Sequence, residues 1–428
     1  MVFAAALTGI QSSSSELAVI GNNIANASTT GFKSSRTEFA DIYTSSGGSN
    51  AIGSGVGVSS VTQKHSQGSI AFTNSNLDLA ISGEGYFQMK DSTGVTYTRA
   101  GSFSLDQAGK VVNSAGKVLQ GQLANTSGVI GGTVTDIQIP SGSSAPNATS
   151  TINLGLNVDS RSTPPTTAFA GGQKPSDSTY NNISSTTIYD SKGNSHILQS
   201  YYIKADSVQA PVNNNAPVVA NDKNQWYVAF QIDGNDLLPG TPGTTNAANL
   251  TAVNFNHDGT FAGVSASTTT SPVTEVGTSN VLQLDYDLQN GAEPLYFTVD
   301  FNNIAFGGTT EFGADFAIQS SKQDGYSQGS LQNIEVDNNG VIIGRFSNGQ
   351  TRDLAQLATA NFANASGLQP QGDTGWTESS TSGTALIGKP GSGGLGSVTA
   401  GALEQSNVDL TAQLVALITA QRNFQANA

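Results

Sequence analysis

The feature that most constrains this 428-residue chain is a matched pair of apolar stripes at its two ends. Phe3, Leu7, Ile10, Ser14, Leu17, Gly21 and Ile24 fall at alternating steps of four and three. So do Asn407, Leu410, Leu414, Leu417, Gln421, Phe424 and Ala428, with Val408, Val415 and Ile418 widening the second face. A repeat of this kind lines its members along one side of a helix. Both ends therefore read as amphipathic helices of roughly 23 residues, about 35 Å long at 1.5 Å per residue. Ser406 followed by Asp409 marks the start of the second, because a hydroxyl can accept from a free backbone N–H and a carboxylate suits the positive helix end. The first should stop between Asn22 and Gly31, where Asn26, Ser28, Thr29 and Thr30 compete for backbone hydrogen bonds and Gly31 can take a positive φ. Such helices are marginal alone in water, so each needs the other or a neighbouring molecule. If Leu7, Ile10, Leu17 and Ile24 face Leu410, Leu414, Leu417 and Phe424, burial at about 1.5–3 kcal/mol each offsets the entropy of ordering the pair.

Between the helices the apolar pattern switches to period two, with turn signals about every 8–12 residues, as in sandwiches and barrels. Thr186–Tyr189 and His196–Tyr202 flank a turn at Asp190–Asn194, Trp226–Ile232 runs into Asp233-Gly234, and Leu295–Phe301 alternates Leu, Phe, Val and Phe inward. Val341–Phe346 lies between turns at Asp337–Gly340 and Ser347–Gly349. Thr44–Val58, Ser141–Ser150, Ser160–Ser178, Asn213–Asn221 and Gly391–Gly396 are low in complexity and read as linkers or surface loops, the first as a flexible arm.

Composition narrows the function. Only 11% of residues are charged, Gly contributes 49, and the polarity comes mostly from Ser, Thr, Asn and Gln, as in extracellular β-rich proteins. The length suggests two to four domains. With 31 acidic against 17 basic residues the surface repels phosphate, which excludes nucleic acid as a principal partner. Cysteine is absent, so disulfides, thiolate metal sites and thiol nucleophiles are excluded. Met1–Ile24 has no Lys or Arg, no unbroken apolar run and no small-residue cleavage site, and so does not read as a cleaved signal peptide. No segment reaches the roughly 18 consecutive apolar residues of a membrane span. A secreted composition without a removable signal points to a dedicated export route.

Catalytic motifs fail one by one. Gly383-Thr-Ala-Leu-Ile-Gly388-Lys389 has the spacing of a phosphate-binding loop, but Pro390 stands where Ser or Thr would hold Mg²⁺, and glycines follow instead of a helix. His65, His196 and His257 have no zinc-site spacing. Asp106–Gly109, His257–Gly259 and Asp337–Gly340 lack the alternating ligands of a calcium loop and read as hairpin turns. No nucleophile elbow is present, and no cofactor or metal is implied.

Asn22-Asn23-Ile24-Ala25-Asn26 with Ser28-Thr-Thr-Gly31-Phe32-Lys33, and Gly401–Leu410 (with Ser406, Asn407 and Asp409) followed by Ala420-Gln421-Arg422–Ala428, resemble the terminal signatures of the axial proteins of the bacterial flagellum. Gly83–Phe87, Tyr97–Phe103, Asp106, Gly109 and Gln120-Gly121 resemble the family's first β domain. The insertion Asn147–Gly291, with Tyr189–Gly193 inside it, Tyr326–Leu331 and Gln356–Ala360 are similar to its hook branch rather than to the shorter rod subunits.

The resemblance implies a mainly β fold with terminal α-helices, in which nested, discontinuous β domains of sandwich or barrel kind sit on a helical coiled-coil core. The implied division is 1–30 with 401–428 as the helical domain, 31–70 with 361–400 as a connector, 71–146 with 292–360 as an inner β domain, and 147–291 as an outer one. It implies a non-catalytic subunit of a helical homopolymer acting as a universal joint, meeting the distal rod, hook cap, hook–filament junction proteins and export apparatus, outside the cell and without a cleaved signal peptide. Phe3, Leu7, Ile10, Leu17, Ile24, Leu410, Leu414, Leu417, Ile418 and Phe424 are the expected assembly interface. In such proteins the last helix normally runs beyond the position of Ala428. The competing readings are a distal-rod-type subunit and a secreted glycan-binding or hydrolytic β protein, in which the helices only brace a stable monomer.

Overall fold

A computed structural model describes residues 2–43, 53–125, 128–140, 142–167, 169, 175–205, 224–236, 250–265, 280–303 and 307–428. The Asn213–Asn221 tract, residues 44–52 of the glycine-serine segment, Ser141, parts of Ser160–Ser178 and the side chain of Phe3 lie outside the described residues.

Both chain ends are helical, α1 spanning Val2–Ala25 and α2 Leu410–Asn427. α1 closes as expected: the Asn26 amide nitrogen donates back to the Asn22 carbonyl at 3.0 Å, and Gly31 takes φ +68°. Any Cβ at Gly31 would lie 2.5 Å from the Ala100 nitrogen, so glycine is required there twice over.

α2 begins later than the sequence suggests. Its N-cap is Asp409, whose Oδ1 accepts from the Thr411 and Ala412 N–H groups at 2.9 and 3.1 Å. Ser406 instead accepts from Val408 in extended chain, so the helix has 18 residues rather than 23. The carboxylate is the stronger acceptor at a positive helix end, and that decides where the helix starts. Asp409→Ala is expected to lower stability by about 1 kcal/mol, read from the far-ultraviolet melting curve of the helical signal.

The chain divides into two units, Met1–Gly142 with Leu331–Ala428, and Ser143–Ser330. In the first, β1 (Ser35–Tyr43) and β2 (Gly53–Gln63) form an antiparallel hairpin beside α1. Gly53–Val58, expected to be part of a flexible arm, is therefore strand: its backbone pairs with β1, and Val56 and Val58 oppose Asp41 and Phe39.

β3 (Ile70–Phe72), β4 (Leu79–Ser82), β5 (Tyr86–Asp91) and β6 (Gly94–Thr98) follow. The first-half and second-half strands interleave. Ala402–Glu404 pairs with β3 and Ser397–Ala400 with β4. The large sheet runs 331–336, 341–346, 351–357, 118–123, β5, β6, 375–377, 369–372. Alternation along β5 serves two cores: Phe87 and Met89 join Leu79, Ile81, Leu119 and Leu357, while Tyr86 packs with Tyr97, Phe362 and Trp376.

The second unit holds a four-stranded sheet (281–286, 295–300, 151–157, 317–323) and a six-stranded sheet whose main path is 182–189, 195–204, 225–232, 251–255, 261–265. Leu154, Leu156, Leu198, Trp226, Phe230, Phe297 and Phe301 share one core. Gln225–Ile232 is buried on both faces, with Tyr227 and Ala229 in a second cluster beside Tyr201 and Ala252. The expected Asp190–Asn194 turn joins Asn182–Tyr189 to Ser195–Lys204 in register, and Leu295, Phe297, Val299 and Phe301 are all buried. Leu386–Gly388, inside the phosphate-loop lookalike, is a short strand paired with Thr359–Asn361.

Candidate assembly interface and its anchor

The terminal helices pack side by side and antiparallel: the Asn23 amide donates to Gln413 Oε1 at 3.1 Å, and Gly9 lies against Asn427. Their apolar stripes are covered only in part. The buried side of α1 is Gly9, Ser12, Ser13, Ile20 and Asn23, shared between α2 and the β1–β2 hairpin, where Ser12 donates to the Val56 carbonyl and Thr8 closes on Gly55.

On α2 the one fully buried residue is Ala420, flanked by half-buried Gln413, Leu417, Phe424 and Asn427. Some of the bulky residues stay outside this contact. Leu410, Leu414, Val415 and Ile418 are 48–61% exposed and Leu7 55%, while Ile10, Leu17 and Ile24 are half-buried. Leu7, Leu410 and Leu414, expected among the facing residues, are instead exposed, Leu7 at the end of the pair near Asn427 and Leu410 and Leu414 at the end near Asn23.

The chain segments beside the helices are fastened by a buried charge cluster. Glu404 Oε1 accepts from Lys33 Nζ at 2.5 Å and from the Gly68 N–H at 2.9 Å, and Oε2 accepts from Arg99 Nη1 at 3.0 Å. The side chains of Lys33 and Glu404 are fully buried, and Arg99 nearly so. Lys33 also donates to the Ser66 carbonyl and Arg99 Nη2 to the Gly83 carbonyl, while the buried Arg99 Nε has no hydrogen-bond partner among the described residues. Burial pushes the Lys33 ammonium below its ordinary range, and the Glu404 carboxylate opposes that pull.

Around the cluster, Asn407 Oδ1 accepts from the Ser34 N–H and its amide nitrogen donates to the Lys64 carbonyl. Asn23 exchanges two hydrogen bonds with the Ser35 backbone, and the Gly31 N–H donates to the Glu404 carbonyl. Asn23, Gly31, Lys33 and Asn407, four of the signature positions, thus meet at one anchor. Asn22, Asn26 and Phe32 line a neighbouring cavity, and Ala25, Gln421 and Arg422 are exposed. Glu404 and Arg99 complete the anchor and were not singled out from sequence. Their signal was one of few charges in a chain poor in charge: Arg99 is alone in Tyr97–Phe103, and Glu404 shares Gly401–Leu410 only with Asp409.

His65 sits on this anchor, edge-on to Trp376, with the Tyr86 hydroxyl 2.8 Å from its Nδ1. Burial, then the positive Lys33 and Arg99, push the imidazole down to about 4, and burial pushes the Tyr86 phenol up to about 12. A protonated phenol beside a neutral imidazole donates its O–H to Nδ1. In the unfolded chain histidine takes its proton near 6.5, so between about pH 6.5 and pH 4 the unfolded state binds more protons and stability falls as pH falls. Urea titrations at pH 7 and 4.5 are expected to show a loss of about 1–2 kcal/mol, discounted for the half-buried ring, that His65→Gln removes. Equal losses in both proteins would contradict this assignment.

Four family models match: Flagella basal body rod protein at residues 3–33, Flagellar hook protein FlgE/F/G D1 domain at 80–155, Flagellar basal body protein FlaE D2 domain at 157–326, and Flagellar basal body rod FlgEFG protein C-terminal at 399–428. The flagellar hook protein FlgE of Escherichia coli (strain K12) is 37% identical over 434 residues, covering 100% of this chain and 96% of that protein. The protein of the same name from Treponema pallidum (strain Nichols) is 34% identical over 466 residues, covering 99% and 94%. The crystal structure of Helicobacter pylori flagellar hook protein FlgE2 shares the fold, with a TM-score of 0.53 at 14% identity over 78% of this chain and 100% of that one. Identity at this level over essentially the whole length, with hook-protein models matching the β domains and rod-family models matching both ends, places the chain in the flagellar hook protein FlgE family.

Proposed function

We propose that this chain, a structural subunit of the bacterial flagellar hook, polymerises through the outward apolar face of its terminal helix pair into a curved tube that transmits motor torque as a universal joint. The observation that carries the reading is that face: Leu410, Leu414, Val415 and Ile418 are about half exposed in the single chain. Apolar residues placed together on one side of a helix gain most when a neighbouring copy covers them. Contacts between different patches that do not close into a ring generate a helical filament.

In the tube the helices line a central export channel and the β units lie outside, divided as 1–30 with 401–428, 31–70 with 361–400, 71–146 with 292–360, and 147–291. The low charge supports outer contacts made of many weak polar bonds and water, which slide more readily than buried ion pairs. The subunit leaves the cell through the flagellar export apparatus without a cleaved signal and meets the distal rod, the hook cap and the hook–filament junction proteins. The role requires no catalytic group. Electron cryomicroscopy of the concentrated protein tests the reading: tubes with α1 and α2 around the axis are expected, and a monomer at all concentrations, or helices on the outer surface, would overturn it.

A further inference from the structure

The two terminal helices together carry two charged residues, Glu16 on α1 and Arg422 on α2. Arg422 is exposed and, among the described residues, has no ion-pair partner. At the other end of the pair, where α1 stops, lies a cavity of about 550 Å³ in the first unit, its wall including Asn22, Asn26, Thr30, Lys33, Asp373 and Trp376. Lys33 is already held by Glu404, which leaves Asp373 as the free charge of the wall. Asp373 is exposed, and with Thr374 it forms the two-residue turn between Gly372 and Gly375, both at left-handed φ (48° and 53°) without being glycine. Trp376 is pinned on the cavity wall by its indole N–H donating to Gln63 at 2.7 Å, and Asn22 Oδ1 accepts from Asn26.

The wall therefore offers an exposed carboxylate beside amide side chains, groups to which a guanidinium donates hydrogen bonds. The chain's own Arg422 cannot supply it. Gln413 is fixed beside Asn23 at the cavity end, and α2 then carries Arg422 roughly two and a half turns away, about 13 Å along the axis. We propose that the cavity receives Arg422 of a second copy of this chain, pairing it with Asp373. Donor and receptor then sit at different places on each subunit, the heterologous arrangement that an open helical polymer needs.

This inference rests on the hook reading, and charge exchange separates the two. Arg422→Asp and Asp373→Arg are each expected to raise the critical concentration for tube formation about tenfold or more, with monomer melting curves unchanged, and the double variant is expected to return to within about threefold of the parent. If the parent forms tubes but the double variant is as defective as the single ones, the pairing is wrong and the hook reading stands. Rescue of Arg422→Asp by Glu16→Arg instead would move the contact to α1 and overturn the cavity's role. A parent that forms no tubes would overturn both.

Discussion

Glu404→Gln is expected to destabilise the first unit by about 3–5 kcal/mol, a fall in Tm of roughly 10 °C, because it removes the one carboxylate that two buried cations share. The amide keeps the shape and can still accept from Gly68, so the loss comes from charge rather than from a cavity. Lys33 is the more exposed to that loss, since burial already works against its ammonium form and Glu404 is what opposes it. With net stabilities of about 5–15 kcal/mol for a domain, a change of this size leaves a sizeable unfolded fraction at growth temperature. Glu38→Gln is the internal control: it breaks the exposed pair with Arg36 and is expected to leave Tm unchanged. Thermal unfolding of the two variants side by side checks this, and equal Tm values would show that the anchor is not what holds the chain ends to the sheets.

Leu414→Asp with Ile418→Asp is expected to abolish assembly without harming the monomer. Both side chains are half exposed in the single chain, so a carboxylate there meets water and the helix pair keeps its small-residue contacts through Gly9 and Ala420. In a polymer each position would bury an apolar side chain at about 1.5–3 kcal/mol. Losing two raises the critical concentration by at least about a hundredfold, before the cost of burying a charge is added. Sedimentation of tubes, beside matched melting curves for the monomers, reads both halves of the expectation.

The helices were legible in the sequence because a repeat of four and three is a strong signal over 18–24 residues, and the end of α1 before Gly31 follows from local hydrogen bonding, whereas the start of α2 fell at Asp409 rather than Ser406. Which face each helix buries was not. Counting every Leu and Ile of the stripes as inward fails at Leu7, Leu410, Leu414 and Ile418, which stay exposed, while Gly9, Ser12, Ser13 and Ala420 are buried. The hairpin about Asp190 was readable for a similar reason, since its strands are joined by a turn with a strong sequence signal. The pairing of 118–123 with 351–357, and of Lys33 with Glu404 across 371 positions, joins segments with no local signal to connect them. The anchor's charges could be noticed one at a time, as sparse Lys, Arg and Glu in motifs poor in charge, but not as a cluster.

The absence of cysteine makes burial of the apolar helix face directly measurable. Leu414→Cys introduces a single thiol on the outward face of α2, and maleimide labelling can be compared between monomer and assembled tubes. Rapid labelling of the monomer and strong protection in the tube are expected. Equal labelling in the two states would contradict it, by leaving the apolar face of the terminal helices uncovered in the polymer.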